Sequence, residues 1–262
     1  MKANAKKPQT DLANSYFSLS SWLLDTKSTI QQINHQIMIT EKIFITGPEG
    51  QLEAELTRPK NAGLPEQAGE RVALLCHPHP LYGGSMHDGV LQTAGNACLT
   101  QGISTLKFNF RGVGTSAGIS GRGDFIAKDN TKLSPEVGDV LAAYDWLKQN
   151  AQLSNIIVVG YSFGANMLWQ ALPELALRNA EPNKIPNTIL IAPPNAAMTF
   201  NRQTGLHEER ISIVAGANDD YVNLPALSGS YALKTHTIAD ADHFFSGQHQ
   251  ALDAALTNAL AV

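Results

Sequence analysis

Cysteine is nearly absent from this 262-residue chain, which has only Cys76 and Cys98. Both stand in apolar runs without metal-ligand spacing, so a disulfide framework and a thiolate metal site are excluded and both read as small, reduced core residues. No apolar stretch is long enough to span a bilayer, and no membrane partner is expected. Residues 1–10 are polar and basic, with no apolar signal core behind them, which reads as a cytoplasmic protein. Charge of one sign is also lacking: 19 basic against 23 acidic side chains leave a net −4, no electrostatic basis for binding nucleic acid. Gly112-x-Gly114 follows a strand pattern but leads into an irregular loop, so a nucleotide site is not expected and no cofactor is implied.

What is present is ordinary globular composition, 43% hydrophobic and 16% charged, at a length that allows one large α/β domain. Residues 1–35, rich in Ser, Thr, Asn and Gln, carry no helix or strand signature. They read as an extension, partly disordered or draped over a domain spanning 36–262. Alternation over Ile37–Thr46 and Gln51–Arg58, across Gly47-Pro48-Glu49-Gly50, predicts an antiparallel hairpin. Beyond Arg71 the rhythm changes to short apolar strands: Val72–Cys76, Ser104–Phe108, Asn155–Gly160, Thr188–Ala192, Ile211–Gly216 and Lys234–Ile238. Helical patterns fall at Asp88–Thr100, Pro135–Gln149, Phe163–Leu177 and His249–Leu260. Such alternation predicts a mostly parallel sheet with helices on both faces.

The pentapeptide Gly160-Tyr161-Ser162-Phe163-Gly164 lies between the apolar strand Ile156–Val159 and a helical segment. Gly-x-Ser-x-Gly in that setting reads as a nucleophile elbow, a turn so tight that its flanking residues must be small. It lifts a serine hydroxyl above the sheet edge, at the positive end of the next helix. Two further motifs stand at His77-Pro78-His79-Pro80-Leu81-Tyr82-Gly83-Gly84 and at Phe108-Asn109-Phe110-Arg111-Gly112-Val113-Gly114-Thr115-Ser116.

With these motifs the chain resembles the α/β-hydrolase superfamily. It is similar, more narrowly, to small bacterial serine hydrolases near dienelactone-hydrolase-like and peptidase-like relatives. The resemblance covers roughly residues 37–262. A serine stands where dienelactone hydrolases carry cysteine. The fold implied is an N-terminal antiparallel hairpin feeding a mostly parallel sheet. An acid and a histidine are implied in chain order after the serine, on loops at the carboxyl ends of later strands. His243 follows the last strand, with two aromatics behind it. Asp219 and Asp220 share the loop after Gly216, and the superfamily's Gly-x-x-Asp-x-x-Val spacing favours Asp219. The implied catalytic set is therefore Ser162, His243 and Asp219, with Asp220 as the alternative acid.

The oxyanion of acyl transfer needs N–H donors. One is expected from the backbone of Phe163. The other is expected from the loop after the first parallel strand, where Pro78 and Pro80 have no N–H; His79 is favoured by position, with Leu81 or Tyr82 as alternatives. A metal held by His77 and His79 is not expected without an acidic or thiol partner. Arg111 with Glu136 or Asp139 reads as a bracing ion pair. The polar loop Arg122–Ser134 is longer than in such relatives.

The segment Pro193–Glu209 is short and lacks an amphipathic helical pattern, so no large lid and a shallow site are expected, with Tyr82, Pro194 and Phe244 contacting substrate. The function implied is hydrolysis of a carboxylic ester or thioester of a small or exposed acyl substrate. A peptidase or amidase on the same residues, or a non-catalytic binding protein on a hydrolase scaffold, are the alternatives.

Overall fold

A computed structural model describes residues 38–59, 71–120, 133–150, 155–179, 181, 183–201, 206–228 and 233–261. The extension expected over residues 1–35, and most of the loop 122–134, lie outside the described residues.

Eight strands form one sheet in the order β1-β2-β4-β3-β5-β6-β7-β8. In chain order the elements are β1 (Met38–Gly47), β2 (Gly50–Pro59), β3 (Arg71–Cys76), α1 (Gly89–Thr100), β4 (Ser104–Phe108), α2 (Val137–Asn150) and β5 (Asn155–Tyr161). They continue with α3 (Phe163–Leu177), β6 (Asn187–Ile191), β7 (Ile211–Gly216), α4 (Leu224–Ser228), β8 (Lys234–Ile238) and α5 (His249–Leu260). β2 pairs antiparallel with β4, and every pairing from β4 to β8 is parallel. This is the α/β-hydrolase arrangement that the resemblance implied.

The central parallel strands β3, β5, β6 and β7 are largely apolar because both faces are covered, whereas the edge strand β8 is mostly exposed. In β3, Val72, Leu74 and Cys76 join a core with Ala143, Leu147 and Trp169 from α2 and α3. Ala73 and Leu75 face the opposite core, with Leu91, Cys98, Leu252 and Leu256 from α1 and α5. Each fully buried valine or leucine among them contributes about 1.5–3 kcal/mol. The chain leaves β3 toward β4 on one side and returns to β5 on the other. That reversal opens a crevice at the carboxyl ends of β3 and β5, where Cys76 stands opposite Gly160.

The short helix α4 was not expected. Its signal is local: Asn223 Oδ1 accepts the Ala226 amide at 3.1 Å, and Pro225 sits in the first turn, where its missing N–H is harmless. Among the described residues, no helix is long and apolar enough to cross a membrane.

Candidate active site

Ser162 occupies a backbone conformation that side chains rarely adopt, φ 53° and ψ −114°. Such a residue costs on the order of 1–3 kcal/mol and persists only where its surroundings hold it. Here the Ser162 amide donates to the Ile191 carbonyl at 2.9 Å, and its own carbonyl accepts from Ala165 and Asn166 at the start of α3. The flanking glycines are sterically required. A Cβ on Gly160 would lie 2.5 Å from the Gly164 carbonyl oxygen, and one on Gly164 would lie 2.2 Å from that of Cys76.

His243 lies on the loop after β8. Its Nε2 is 2.9 Å from Ser162 Oγ, and its Nδ1 is 2.8 Å from Asp219 Oδ2. Asp219 comes from the loop after β7 and is buried, whereas Asp220 is exposed. The other Asp219 oxygen accepts the Tyr221 amide at 2.9 Å, which fixes the carboxylate plane. Three loops thus deliver a continuous chain from hydroxyl through imidazole to carboxylate. The arrangement can move a proton from the serine oxygen to Nε2 while the carboxylate holds Nδ1–H.

The loop carrying His243 is pinned from several sides. Tyr161, inside the elbow motif, donates its hydroxyl to the His243 carbonyl at 3.1 Å. Burial pushes the Tyr161 phenol up, so that it remains a donor. Asp242 Oδ1 accepts the amides of Ser246 and Phe244, and these bonds hold its carboxyl below its usual range. Phe245 is fully buried and plugs the loop into the core. Gly216 permits the approach of the same loop, since a Cβ there would sit 2.2 Å from the Ala241 oxygen.

On the opposite side of the elbow stands the histidine-proline loop. The His79 ring meets the Phe163 ring edge-on at 4.7 Å, which packs this loop against the start of α3. His79 Nδ1 accepts the Leu81 amide at 3.0 Å, and the His79 carbonyl accepts that of Tyr82 at 3.1 Å. Both alternative donors are therefore engaged with His79 itself. Burial pushes the His79 imidazole down, against the opposing pull of Glu136, so the ring is neutral with its proton on Nε2.

His77 is wholly buried and pushed down to about 4 by desolvation. Its Nε2 accepts the Phe110 amide at 3.0 Å, and its Nδ1 lies 2.6 Å from the Pro78 carbonyl. Gly84 closes the loop, where a Cβ would strike the Pro78 oxygen at 2.2 Å. The second motif is a scaffold. Asn109 bonds Glu53 and the Met86 amide, and Ser116 bonds Glu53 N and Asn109 O. Arg111 makes the expected ion pair with Asp139 at 2.7 Å, and a second one, not expected, with Glu49 at 3.3 Å.

Of the expected substrate contacts, Tyr82 is 80% exposed beside His79, and Phe244 is exposed against His243. Pro194 is buried, its carbonyl accepting from Ala197 and Met198, so it shapes the loop after β6 and offers little surface to a ligand. Several positioning residues escaped the sequence reading. Asn166 in α3 donates to the Thr199 carbonyl and accepts from Gln170, which in turn accepts the Ser134 amide. Asn195 and Asn223 exchange side-chain and backbone bonds at 2.8–2.9 Å, tying the loop after β6 to the acid loop. Among the described residues, no group of three or more His, Cys, Asp or Glu is placed to hold a metal ion. Burial pushes the Cys98 thiol up to about 12 and Cys76 higher, so neither is a ready ligand or nucleophile.

Comparison with known proteins supports the fold and the family. A family model of the α/β hydrolase fold matches residues 79–208. A Coxiella burnetii α/β serine hydrolase homologue of known structure is 30% identical, with a TM-score of 0.66 over 84% of this chain and 97% of that one. A lidless α/β serine hydrolase from Xanthomonas campestris is 27% identical, with a TM-score of 0.67 over 85% and 94% of the two chains. An uncharacterized protein of Rickettsia prowazekii is 35% identical over 154 residues, 58% of this chain; the match spans 55% of that relative's length.

Proposed function

The chain belongs to the α/β serine hydrolase family, and on that footing we propose that it hydrolyses a carboxylic ester or thioester of a small or exposed acyl substrate. The observation that carries this reading is the chain of hydrogen bonds from Ser162 Oγ to His243 Nε2 and from Nδ1 to buried Asp219. In the proposed reaction Ser162 Oγ bonds to the acyl carbon while its proton passes to His243 Nε2. The carbon–oxygen or carbon–sulfur bond to the leaving group then breaks, and that same proton goes to the departing atom. Water repeats the sequence on the acyl-enzyme, so that acid and serine are regenerated.

Asp219 holds the Nδ1–H tautomer and stabilises the imidazolium as it forms. The amides of Phe163 and His79 are the proposed donors to the oxyanion, a contribution of about 3–4 kcal/mol per donor in comparable sites. The dipole of α3 adds to it. No step of this chemistry requires a cofactor. We place the protein in the cytoplasm, acting on a diffusible small molecule, with no large lid over the site.

The test is labelling by a fluorophosphonate, comparing wild type with Ser162→Ala and His243→Ala. Labelling that needs both residues supports an activated serine, and short-chain p-nitrophenyl esters against matched thioesters then separate the two acyl classes. A folded wild type that resists labelling overturns the reading in favour of a binding scaffold.

A further inference from the structure

Two exposed aromatic rings stand against the imidazole of His243. The Tyr221 ring lies 4.8 Å from it, and the Phe244 ring meets it edge-on at 5.4 Å. They are 48% and 63% exposed, among the few large hydrophobic side chains the described surface leaves open. Each is carried on a fixed backbone. Tyr221 donates its amide to Asp219 Oδ1 and accepts the Ala196 amide at 3.0 Å. Phe244 is held by Asp242 Oδ1 and is followed by buried Phe245. Two further rings, exposed Tyr82 and buried Phe163, lie 5.4 and 4.7 Å from His79, on the side of the proposed oxyanion donors.

The chemistry assigns a direction to these two sides. In the hydrolysis proposed above, on which this inference rests, His243 Nε2 gives its proton to the leaving atom, which must therefore come within about 3 Å of that nitrogen. A ring packed on the imidazole then flanks the leaving group, while rings packed on His79 flank the acyl oxygen. We infer that Tyr221 and Phe244 form a leaving-group subsite, selecting esters whose departing alcohol carries a flat apolar group such as a phenyl ring. Both rings rest on a hydrogen-bonded backbone and pack on His243, which limits the side-chain entropy lost on stacking, and offset or edge-on ring pairs are favoured over mere contact.

The test holds the acyl group constant and varies the alcohol. Benzyl and methyl acetate have alcohols of closely similar acidity, so their ratio of kcat/KM reports contacts to the leaving group. Rates are expressed per fluorophosphonate-reactive serine, a probe whose departing fluoride makes no use of an apolar subsite. The wild type is expected to prefer benzyl over methyl acetate by about tenfold or more, with the preference falling to about threefold or less in Tyr221→Ala/Phe244→Ala. Tyr221→Phe should keep it, because the ring and not the hydroxyl is invoked. A preference that survives in the double alanine variant, or is absent from a wild type that labels normally, overturns the subsite and leaves the hydrolase reading standing. A folded wild type without labelling overturns both.

Discussion

His77 bridges the loop after β3 to the end of β4: its Nε2 accepts the Phe110 amide at 3.0 Å, while its Nδ1 lies 2.6 Å from the Pro78 carbonyl. One ring can serve both groups only as the neutral tautomer with its proton on Nδ1. Protonation of Nε2 would leave the Phe110 N–H facing another N–H in a buried site.

That relationship predicts a pH dependence of folding. Burial lowers the folded value to about 4 from the ordinary 6.5. Between those values the unfolded chain binds the proton and the folded one does not. Stability contributed by this group is therefore fully present above about pH 6.5 and lost as the pH falls toward 4, up to on the order of 3 kcal/mol. His77→Gln offers an amide oxygen and an amide N–H to the same two partners but does not titrate. Urea unfolding at a series of pH values should show a shallower acid-side slope in this variant than in wild type. Equal slopes would remove His77 as the source.

Gly164 packs directly under the β3 carboxyl end, and the added methyl of Gly164→Ala would lie 2.2 Å from the Cys76 oxygen and 2.8 Å from that of His77. Backbone, not a flexible side chain, occupies the space, so the elbow must shift. The expected result is a loss of at least about 2 kcal/mol in stability together with slower serine labelling, because the same displacement moves Phe163 N from its proposed place as an oxyanion donor. Thermal unfolding and labelling rate measured on the same sample check both parts.

Arg111 and Asp139 form a buried pair with bonds at 2.7–3.2 Å, and Asp139 also accepts the Arg111 amide. The network braces the segment after β4 against α2. Asp139→Asn removes the carboxylate that binds the buried guanidinium most closely, leaving it the exposed Glu49 and the field of Glu136, and should cost about 3–5 kcal/mol, a fall in Tm on the order of 10 °C. Arg111→Met/Asp139→Leu should recover much of that loss, since it removes both charges rather than stranding one. A double variant no more stable than Asp139→Asn would refute the argument.

How much of this the sequence disclosed depends on the range of the interaction. Strands β3, β5 and β7 were legible because burial on both faces writes a mostly apolar run, as in Val72–Cys76. The elbow was legible because the residues that meet its steric demands, two glycines flanking a serine, fall within five consecutive positions, although the backbone that excludes a Cβ at Gly164 belongs to Cys76. The Asn166–Gln170 pair, the Tyr161 hydroxyl and the Asn195–Asn223 exchange were not. Their partners stand 28 to 82 residues away, at Asn223, Thr199, Ser134 and His243, and no local pattern records such a bond. Pro194 misled for a related reason: proximity in sequence to the loop after β6 does not say which of its faces the loop turns inward.

Asp219 and Asp220 show the same limit at a single position. Consecutive residues at the end of β7 point in different directions, so sequence order alone permits either carboxylate. The Tyr221 amide settles the orientation physically, since it binds one Asp219 oxygen at 2.9 Å and turns the other toward His243 at 2.8 Å. Asp219→Asn keeps the shape of the side chain but can present an amide N–H to Nδ1, which favours the wrong imidazole tautomer. The expected loss in kcat is on the order of 10³–10⁴-fold. Asp220→Asn, at an exposed side chain, should stay within about twofold of wild type. Ester turnover and fluorophosphonate labelling rates on the two variants measure the difference, and the reverse order of losses would transfer the proposed role of acid to Asp220.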